Sequence, residues 1–176
     1  VGQKLPLSLR QIRAIRRRLT SAKRLRDIAQ FNLAIDSGLN GCDLVQLRVC
    51  DIAKGGRILS AVKITSAETQ RPSQFEITAE TRDAVAAWIA HNKLKPNEYL
   101  FPSQLSESQH LSTRHYARIV GGWLSEIGLD PAAYGTHTLR RTKASLIYRQ
   151  TKNLKAIQLL LGHTNLESTT RLLEND

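Results

Sequence analysis

The chain has 176 residues, 41% of them hydrophobic, which is enough for one domain with a sizeable core. It has no run of about 18 apolar residues and no apolar signal segment at its start, so neither a membrane span nor secretion is expected. Lysine and arginine total 26 against 15 acidic residues, a formal net charge of +11. Such a balance is typical of chains that meet nucleic acid, because these side chains neutralise phosphates and release counterions. A merely solvated basic surface is the alternative explanation.

The two cysteines indicate a compartment rather than a site. Cys42 and Cys50 lack CxxC spacing and have no histidine close by in the sequence, so they do not form a metal or redox motif. We expect two free thiols, buried or half-buried, in a reducing cytoplasm.

The basic residues are concentrated at the start of the chain. Residues 1–26 contain nine of them and no acid. Apolar residues are interleaved at helical spacing, which predicts a helix from Ser8 to about Leu19 with one packed face and one positive face. Ser8 and Gln11 can form a capping box at its start. The apolar positions are Leu9, Ile12, Ile15 and Leu19.

The next elements are mainly helical, with strands in one region. A second helix is predicted over residues 25–37, with Gly38 as its stop, and a short helix over 43–47. Gly55 and Gly56 indicate a turn. Residues 57–77 alternate as strands and predict one small antiparallel sheet. Thr78 then caps a helix over about 79–92.

The second half of the chain is predicted to be a loop followed by helices. A loop over 95–108 leads to a helix that starts at Ser112 and runs to about residue 127. A connector over 128–135 precedes helices over 138–150 and 154–161. Thr164 and Glu167 form a capping box for a last helix.

One group of residues in these helices can carry chemistry. His137 and Arg140 are three residues apart at a helix start, so they share a face at the end that favours anions. His163 follows a glycine stop and precedes another helix start. These three side chains could hold one phosphate, with Arg140 as a planar fork on its oxygens. Taken alone, a His-x-x-Arg pair is a weak signal, and a surface histidine and arginine near a helix end are the more frequent explanation.

The order of the motifs is more specific, and it resembles the tyrosine site-specific recombinase (phage integrase) family. The resemblance covers nearly the whole chain, from Lys4 to Arg171. It implies a fold of the α+β class, mainly α-helical, namely the family's catalytic-domain fold with a small antiparallel β-sheet. It also implies that residues 1–176 form a single catalytic domain without the helical core-binding domain. The matching segments are His137-Thr-Leu-Arg140-Arg141, Leu-Gly-His163, Ser-Thr-Thr-Arg171, Ala34–Leu39 with Asp43-Leu44-x-x-Leu47, and Thr69–Pro72 as the catalytic hairpin.

The resemblance implies a metal-free and nucleotide-free reaction in which a tyrosine attacks a DNA phosphodiester. Two arginines stabilise the transition state, a hairpin lysine protonates the leaving oxygen, and two histidines assist. Arg140 matches the second arginine, and His137 and His163 match the histidines. The other three positions are replaced: Asn40 stands for the first arginine, Glu68 for the lysine and Leu172 for the tyrosine.

We therefore expect a domain that binds double-stranded DNA but does not cleave it. The arginines expected to contact DNA are Arg10, Arg13, Arg17, Arg71 and Arg141. One alternative is an active recombinase with displaced chemistry, in which Lys63 supplies the lysine under another hairpin register, or with a nucleophile donated by a second protomer. The other alternative is a protein-interaction module that regulates a recombinase, which the negative charge of Glu68 suggests. The partner would then be a second copy or another recombinase, with no membrane involved.

Overall fold

A computed structural model describes residues 3–105 and 109–161 of the chain. Within these residues it contains eight helices and four short strands, so the expected mainly helical α+β class is confirmed. The helices are α1 Leu9–Ser21, α2 Leu25–Ser37, α3 Gly41–Val45, α4 Val49–Ile52, α5 Ala79–His91, α6 Thr113–Glu126, α7 Thr136–Thr151 and α8 Leu154–Leu161. The strands are β1 Ala53–Lys54, β2 Arg57–Ile58, β3 Ala61–Thr65 and β4 Pro72–Glu76.

Helix α2 is the central element of the core. It packs against α1, α5 and α7, and nearly all of its residues are buried, the polar Asp27 among them. Trp123 of α6 meets Phe31 edge-on, with ring centroids 5.5 Å apart, and donates its indole N–H to Asp27. The helix ends as predicted at Gly38, whose φ of 63° is left-handed and favours glycine.

Helix α1 begins as predicted. The amide of Gln11 donates to the Ser8 hydroxyl, and the amide of Ser8 donates to the Gln11 side-chain oxygen, which completes the capping box. Three of the predicted apolar positions, Ile12, Ile15 and Leu19, are buried against the core. The fourth, Leu9 in the first turn, is 48% exposed and does not join the packed face.

The predicted single sheet is wrong in one respect, because the structure has two separate hairpins. Gly55 and Gly56 have φ values of 58° and 77°, and this left-handed turn folds β2 back onto β1 at once. Strands β3 and β4 form the second antiparallel pair, from Ala61 opposite Glu76 to Thr65 opposite Pro72. The second hairpin is the one that the resemblance identifies as catalytic.

The segment before α1 is attached to distant parts of the chain. The Lys4 ammonium donates to the carbonyls of Pro131 and Ala132 at 3.0 and 2.8 Å. The Leu7 amide donates to the hydroxyl of Thr142, on α7, at 2.9 Å. We call residues 3–7 the N-terminal strap, because they join the α6–α7 connector to the body of α7.

The expectations about a membrane span and about the two cysteines can be compared with the structure. Within residues 3–105 and 109–161, no helix is long and apolar enough to cross a bilayer. Both cysteines are free thiols, and Cys42 is partly buried as expected. The same expectation is wrong for Cys50, which is exposed in the first turn of the short helix α4.

Candidate active site

Helix α7 carries two of the predicted site residues. It begins at Thr136, two residues before the predicted start, because Gly135 and Thr138 exchange hydrogen bonds of 2.9 and 3.0 Å across the first turn. His137 and Arg140 therefore both lie inside the helix, three residues apart on one face. His137 is exposed at the helix start, and Arg140, one turn further on, is half-buried.

The electrostatic surroundings of Arg140 connect α7 with two other elements. Burial lowers the pKa of its guanidinium, while the carboxylates of Asp43 in α3 and Glu68 in the β3–β4 hairpin raise that pKa. An arginine remains protonated under such opposing effects, since its ordinary pKa lies far above neutrality. The charge of Arg140 therefore acts on a region that already contains two negative charges.

Asn40 lies at the N-cap of α3 and uses both ends of its amide. Its side-chain oxygen accepts from the Asp43 amide at 2.7 Å, which caps the helix. Its side-chain nitrogen donates to Glu68 at 2.9 Å. Two positions at which the resemblance expects positive charges are therefore occupied by an amide and a carboxylate that contact each other.

The turn that carries Glu68 is attached to α3 by a buried carboxylate. Asp43, only 6% exposed, accepts from the hydroxyl of Ser66 at 2.7 Å and from the amide of Ala67 at 2.9 Å. No role was predicted for Asp43, although Asn-x-x-Asp at a helix start resembles the reciprocal spacing of a capping box. We call residues 66–71 the hairpin tip, and its Ser66 end is held against the start of α3.

Lys63, the alternative residue for the family's hairpin lysine, does not lie in the hairpin tip. Lys63 lies within β3, where it pairs with Gln74, three residues before the tip begins. Lys63 lines a cavity of about 330 Å³ together with Asp43 and Asp51. The hairpin register thus places Glu68, rather than Lys63, in the turn.

The arginines predicted to contact DNA fall into two groups. The first group has exposed side chains that make no ion pair or hydrogen bond within the described residues. It consists of Arg10, Arg13 and Arg17 on α1 and Arg71 in the hairpin tip. Arg141 differs, because its guanidinium donates to the Lys4 carbonyl at 2.8 Å and so holds the N-terminal strap. Burial lowers the pKa of Arg141.

All four tyrosines of the sequence lie in the described residues, and their surroundings differ. Tyr116 is 2% exposed, and burial raises its pKa above the ordinary value. The Tyr99 hydroxyl accepts from Arg48 at 3.0 Å, and the guanidinium also lies over its ring. Tyr134 and Tyr148 are half-buried against apolar neighbours. Activation of a nucleophilic phenol requires an adjacent base or a lowered pKa, and burial has the opposite effect on Tyr116.

The structure therefore brings three of the predicted catalytic positions to one place. Asn40 and Glu68 are hydrogen-bonded, and Arg140 lies close enough to Glu68 to respond to its charge. His137 lies one turn before Arg140, on the exposed start of α7. Two predicted positions, His163 and Leu172, lie outside the described residues, as does the helix predicted from Thr164.

The sequence and the fold were compared with those of known proteins. Residues 7–175 match the family model described as the phage integrase family. A tyrosine recombinase of Pseudothermotoga lettingae is 31% identical over 150 residues, which cover 85% of this chain and 50% of that protein. The probable integrase/recombinase YoeC of Bacillus subtilis is 27% identical over 169 residues, which cover 96% of this chain and 88% of that protein.

Among solved structures, the chain resembles the XerH site-specific recombinase bound to a palindromic difH substrate in a post-cleavage complex. The TM-score is 0.79 with 18% identity, over 99% of this chain and 51% of XerH. At this identity the likeness concerns the fold, and it confirms the predicted catalytic-domain architecture. The chain spans about half the length of XerH and of the Pseudothermotoga relative.

Proposed function

This chain belongs to the phage integrase family of tyrosine recombinases, and on that premise we propose that it binds duplex DNA through phosphate contacts without cleaving the strand. One observation carries the proposal. Where the family chemistry calls for an arginine and a lysine, Asn40 and Glu68 are hydrogen-bonded to each other, and the charge of Glu68 acts on Arg140. We keep a cytoplasmic location as an expectation that accompanies this function.

The DNA-binding part of the proposal is supported by charge and by exposure. The chain has a formal net charge of +11, and three arginines on α1 are exposed without partners among the described residues. XerH, which shares the fold, was captured with its difH substrate. Guanidinium groups that face solvent can each replace a counterion of the DNA backbone. Contacts of this kind position a protein on the duplex but do not read its sequence.

We propose that the chain does not cleave DNA because replacement of the catalytic residues should lower the reaction rate by large factors. Removal of one preorganised transition-state donor typically costs about 10²–10³ in rate. Asn40 offers a donor without a full charge, and Glu68 offers a negative charge where the lysine would protonate the leaving oxygen. Leu172, at the position matched to the nucleophile, has no atom that can attack phosphorus, and loss of the nucleophile removes the covalent step.

Fluorescence anisotropy with labelled duplex DNA across a salt series tests the binding. We expect the affinity to fall steeply as salt rises, because phosphate contacts release counterions. An affinity that is absent even at low salt would contradict the DNA function. It would favour the alternative of a module whose partner is another protein.

Arg140→Ala tests whether binding uses the phosphate site itself. If Arg140 contacts one phosphate, the variant should bind more weakly, and the slope of log affinity against log salt should fall by about 0.9. Arg118→Ala, which removes an exposed arginine from the middle of α6, is the matched control and should leave the slope nearly unchanged. Equal slopes for Arg140→Ala and the unmodified chain would show that the site does not engage phosphate.

Cleavage is tested with nicked or phosphorothiolate duplexes, which trap a covalent intermediate. We expect no DNA–protein adduct that resists SDS. An adduct formed by the chain alone would establish the alternative of an active recombinase with displaced residues. An adduct that appears only when a second recombinase is added would indicate a nucleophile donated in trans.

A further inference from the structure

We propose that the Glu68 carboxylate occupies the phosphate site of this domain from within, so that an external phosphate reaches Arg140 only when the Glu68 side chain leaves Asn40. This inference concerns the regulation of the site described above. Its consequence for DNA binding rests on the proposed function, whereas its consequence for the binding of inorganic phosphate does not.

The Glu68 carboxylate interacts with one amide donor and with one positive charge. The Asn40 side-chain nitrogen lies 2.9 Å from a Glu68 oxygen, which is hydrogen-bonding distance. Arg140, half-buried one turn into α7, lies within the electrostatic reach of the same carboxylate. A hydrogen-bonding amide and a guanidinium charge acting on one anionic group are also what would attract a phosphate. In this structure Glu68 supplies the anion.

The backbone of the hairpin tip keeps Glu68 in this position. Asp43 holds the tip by accepting from Ser66 at 2.7 Å and from Ala67 at 2.9 Å. Ser66 is 7% exposed and Asp43 is 6% exposed, so the Ser66 contact is shielded from water, and the Ala67 contact is partly buried. Shielded charge-assisted bonds are stronger than exposed ones. The Glu68 side chain, which follows directly, is itself exposed and can swing away without unfolding the tip.

Charge gives the contact its effect on ligands. A carboxylate beside Arg140 attracts the guanidinium and repels an approaching phosphate, so it competes with that phosphate in both respects. A contact that served only to brace the hairpin would not need the negative charge, because a glutamine at position 68 could still accept from Asn40. The two roles are therefore separated by Glu68→Gln, which keeps the acceptor and removes the charge.

The first experiment uses inorganic phosphate as the probe and the whole chain as the protein. Thermal unfolding is measured while phosphate replaces chloride at constant ionic strength. A ligand that binds the folded state raises the midpoint temperature of unfolding as its concentration increases. Glu68→Gln is compared with Glu76→Gln, an exposed carboxylate on β4 of the same hairpin with no hydrogen bond or ion pair in the described residues. Both variants change the net charge by the same amount.

We expect Glu68→Gln to bind phosphate about five- to tenfold more tightly than the unmodified chain, the size of one close charge interaction in a partly screened site. Glu76→Gln should stay within about twofold of the unmodified chain, since exposed charges further away are screened. Equal phosphate binding by the two variants, or none by either, would overturn the proposal. Glu68→Ala, which also removes the acceptor, should gain at least as much as Glu68→Gln.

The same variants titrated into labelled duplex DNA separate this inference from the proposed function. A gain by Glu68→Gln over Glu76→Gln for both phosphate and DNA supports an internal carboxylate that limits DNA binding. A gain for phosphate, with no DNA binding by any variant, supports the internal carboxylate and contradicts the DNA function. DNA binding that is the same in both variants, with no difference for phosphate, leaves the DNA function standing and overturns the internal carboxylate.

Discussion

Asn40 shows how one substitution can be both structural and functional. Its oxygen caps α3 and its nitrogen binds Glu68, so the residue that removes a positive charge from the site also orders the start of the helix. Asparagine suits this position because it is among the preferred N-cap residues. An arginine here would have no side-chain oxygen for the Asp43 amide.

The two roles of Asn40 predict different outcomes for two variants. Asn40→Ala loses both contacts, and the loss of the cap should lower the free energy of unfolding by about 0.5–2 kcal/mol. Asn40→Ser keeps a capping oxygen and should retain most of the stability, although its short side chain loses Glu68. Urea denaturation followed by circular dichroism measures both values.

Asn97→Ala is the control for these variants, because Asn97 is exposed and only its main chain is hydrogen-bonded in the described residues. It should change the stability by less than about 0.5 kcal/mol. If Asn40→Ser destabilises as much as Asn40→Ala, the contact with Glu68 rather than the cap holds this region together.

At the scale of elements, α1 has two kinds of arginine in alternation. Arg16 and Arg18 lie in ion pairs with Glu80 at 3.6 Å and with Glu126 at 3.4 Å. Arg13 and Arg17, one turn apart, face solvent with no such partner in the described residues. The helix therefore uses part of its charge to hold neighbouring helices and leaves the rest for an external anion.

The pair Arg13→Gln and Arg17→Gln tests the exposed face of α1. If both residues contact phosphates, the salt slope of DNA binding should fall by about 1.8, or 0.9 per contact. Lys93→Gln with Lys95→Gln, exposed residues beyond the end of α5, removes the same charge elsewhere. Should both double variants lose affinity equally, general attraction rather than an α1 contact would account for the binding.

The helices could be predicted from sequence because their boundaries depend on local chemistry. The pattern indicated the correct position for three helix ends. Ser8 with Gln11 caps the start of α1, Gly38 ends α2, and Ser112 caps the start of α6. Thr78 marks the start of α5 correctly, but its hydroxyl contacts the side chains of Asp36 at 2.8 Å and Thr81 at 3.1 Å and does not cap a backbone amide of the helix. A cap position is local information, whereas the partner of the side chain depends on what packs beside it.

The site was predictable only in part, for the same reason. The resemblance assigned Asn40, Glu68 and Arg140 to one reaction, but neither spacing nor periodicity shows that Asn40 and Glu68 touch across 28 residues of sequence. The roles of Asp43 and Ser66 also depend on the hairpin lying against α3. Arg141 was predicted to contact DNA, and the bond of its guanidinium to the N-terminal strap could not be predicted from spacing.

At the scale of the whole molecule, the N-terminal strap connects the first described residues with the helix that carries the site. The amide of Leu7 and the hydroxyl of Thr142 are 135 residues apart in sequence and 2.9 Å apart in space. Thr142 is fully buried and in turn donates to the Thr138 carbonyl at 2.7 Å. The position of α7, and with it His137 and Arg140, therefore depends on contacts made by the start of the chain.

Thr142→Val tests this connection, because valine has the shape of threonine without the hydroxyl. The variant leaves the buried Leu7 amide without its acceptor, and we expect the free energy of unfolding to fall by about 1–3 kcal/mol. Thr113→Val, an exposed residue in the first turn of α6, should change it by less than about 0.5 kcal/mol. Urea denaturation gives the stability, and hydrogen exchange of the Leu7 amide shows whether the loss arises at the strap. If Thr142→Val is destabilised while the Leu7 amide stays as protected as before, the cost comes from the core of α7, and the strap does not position the site.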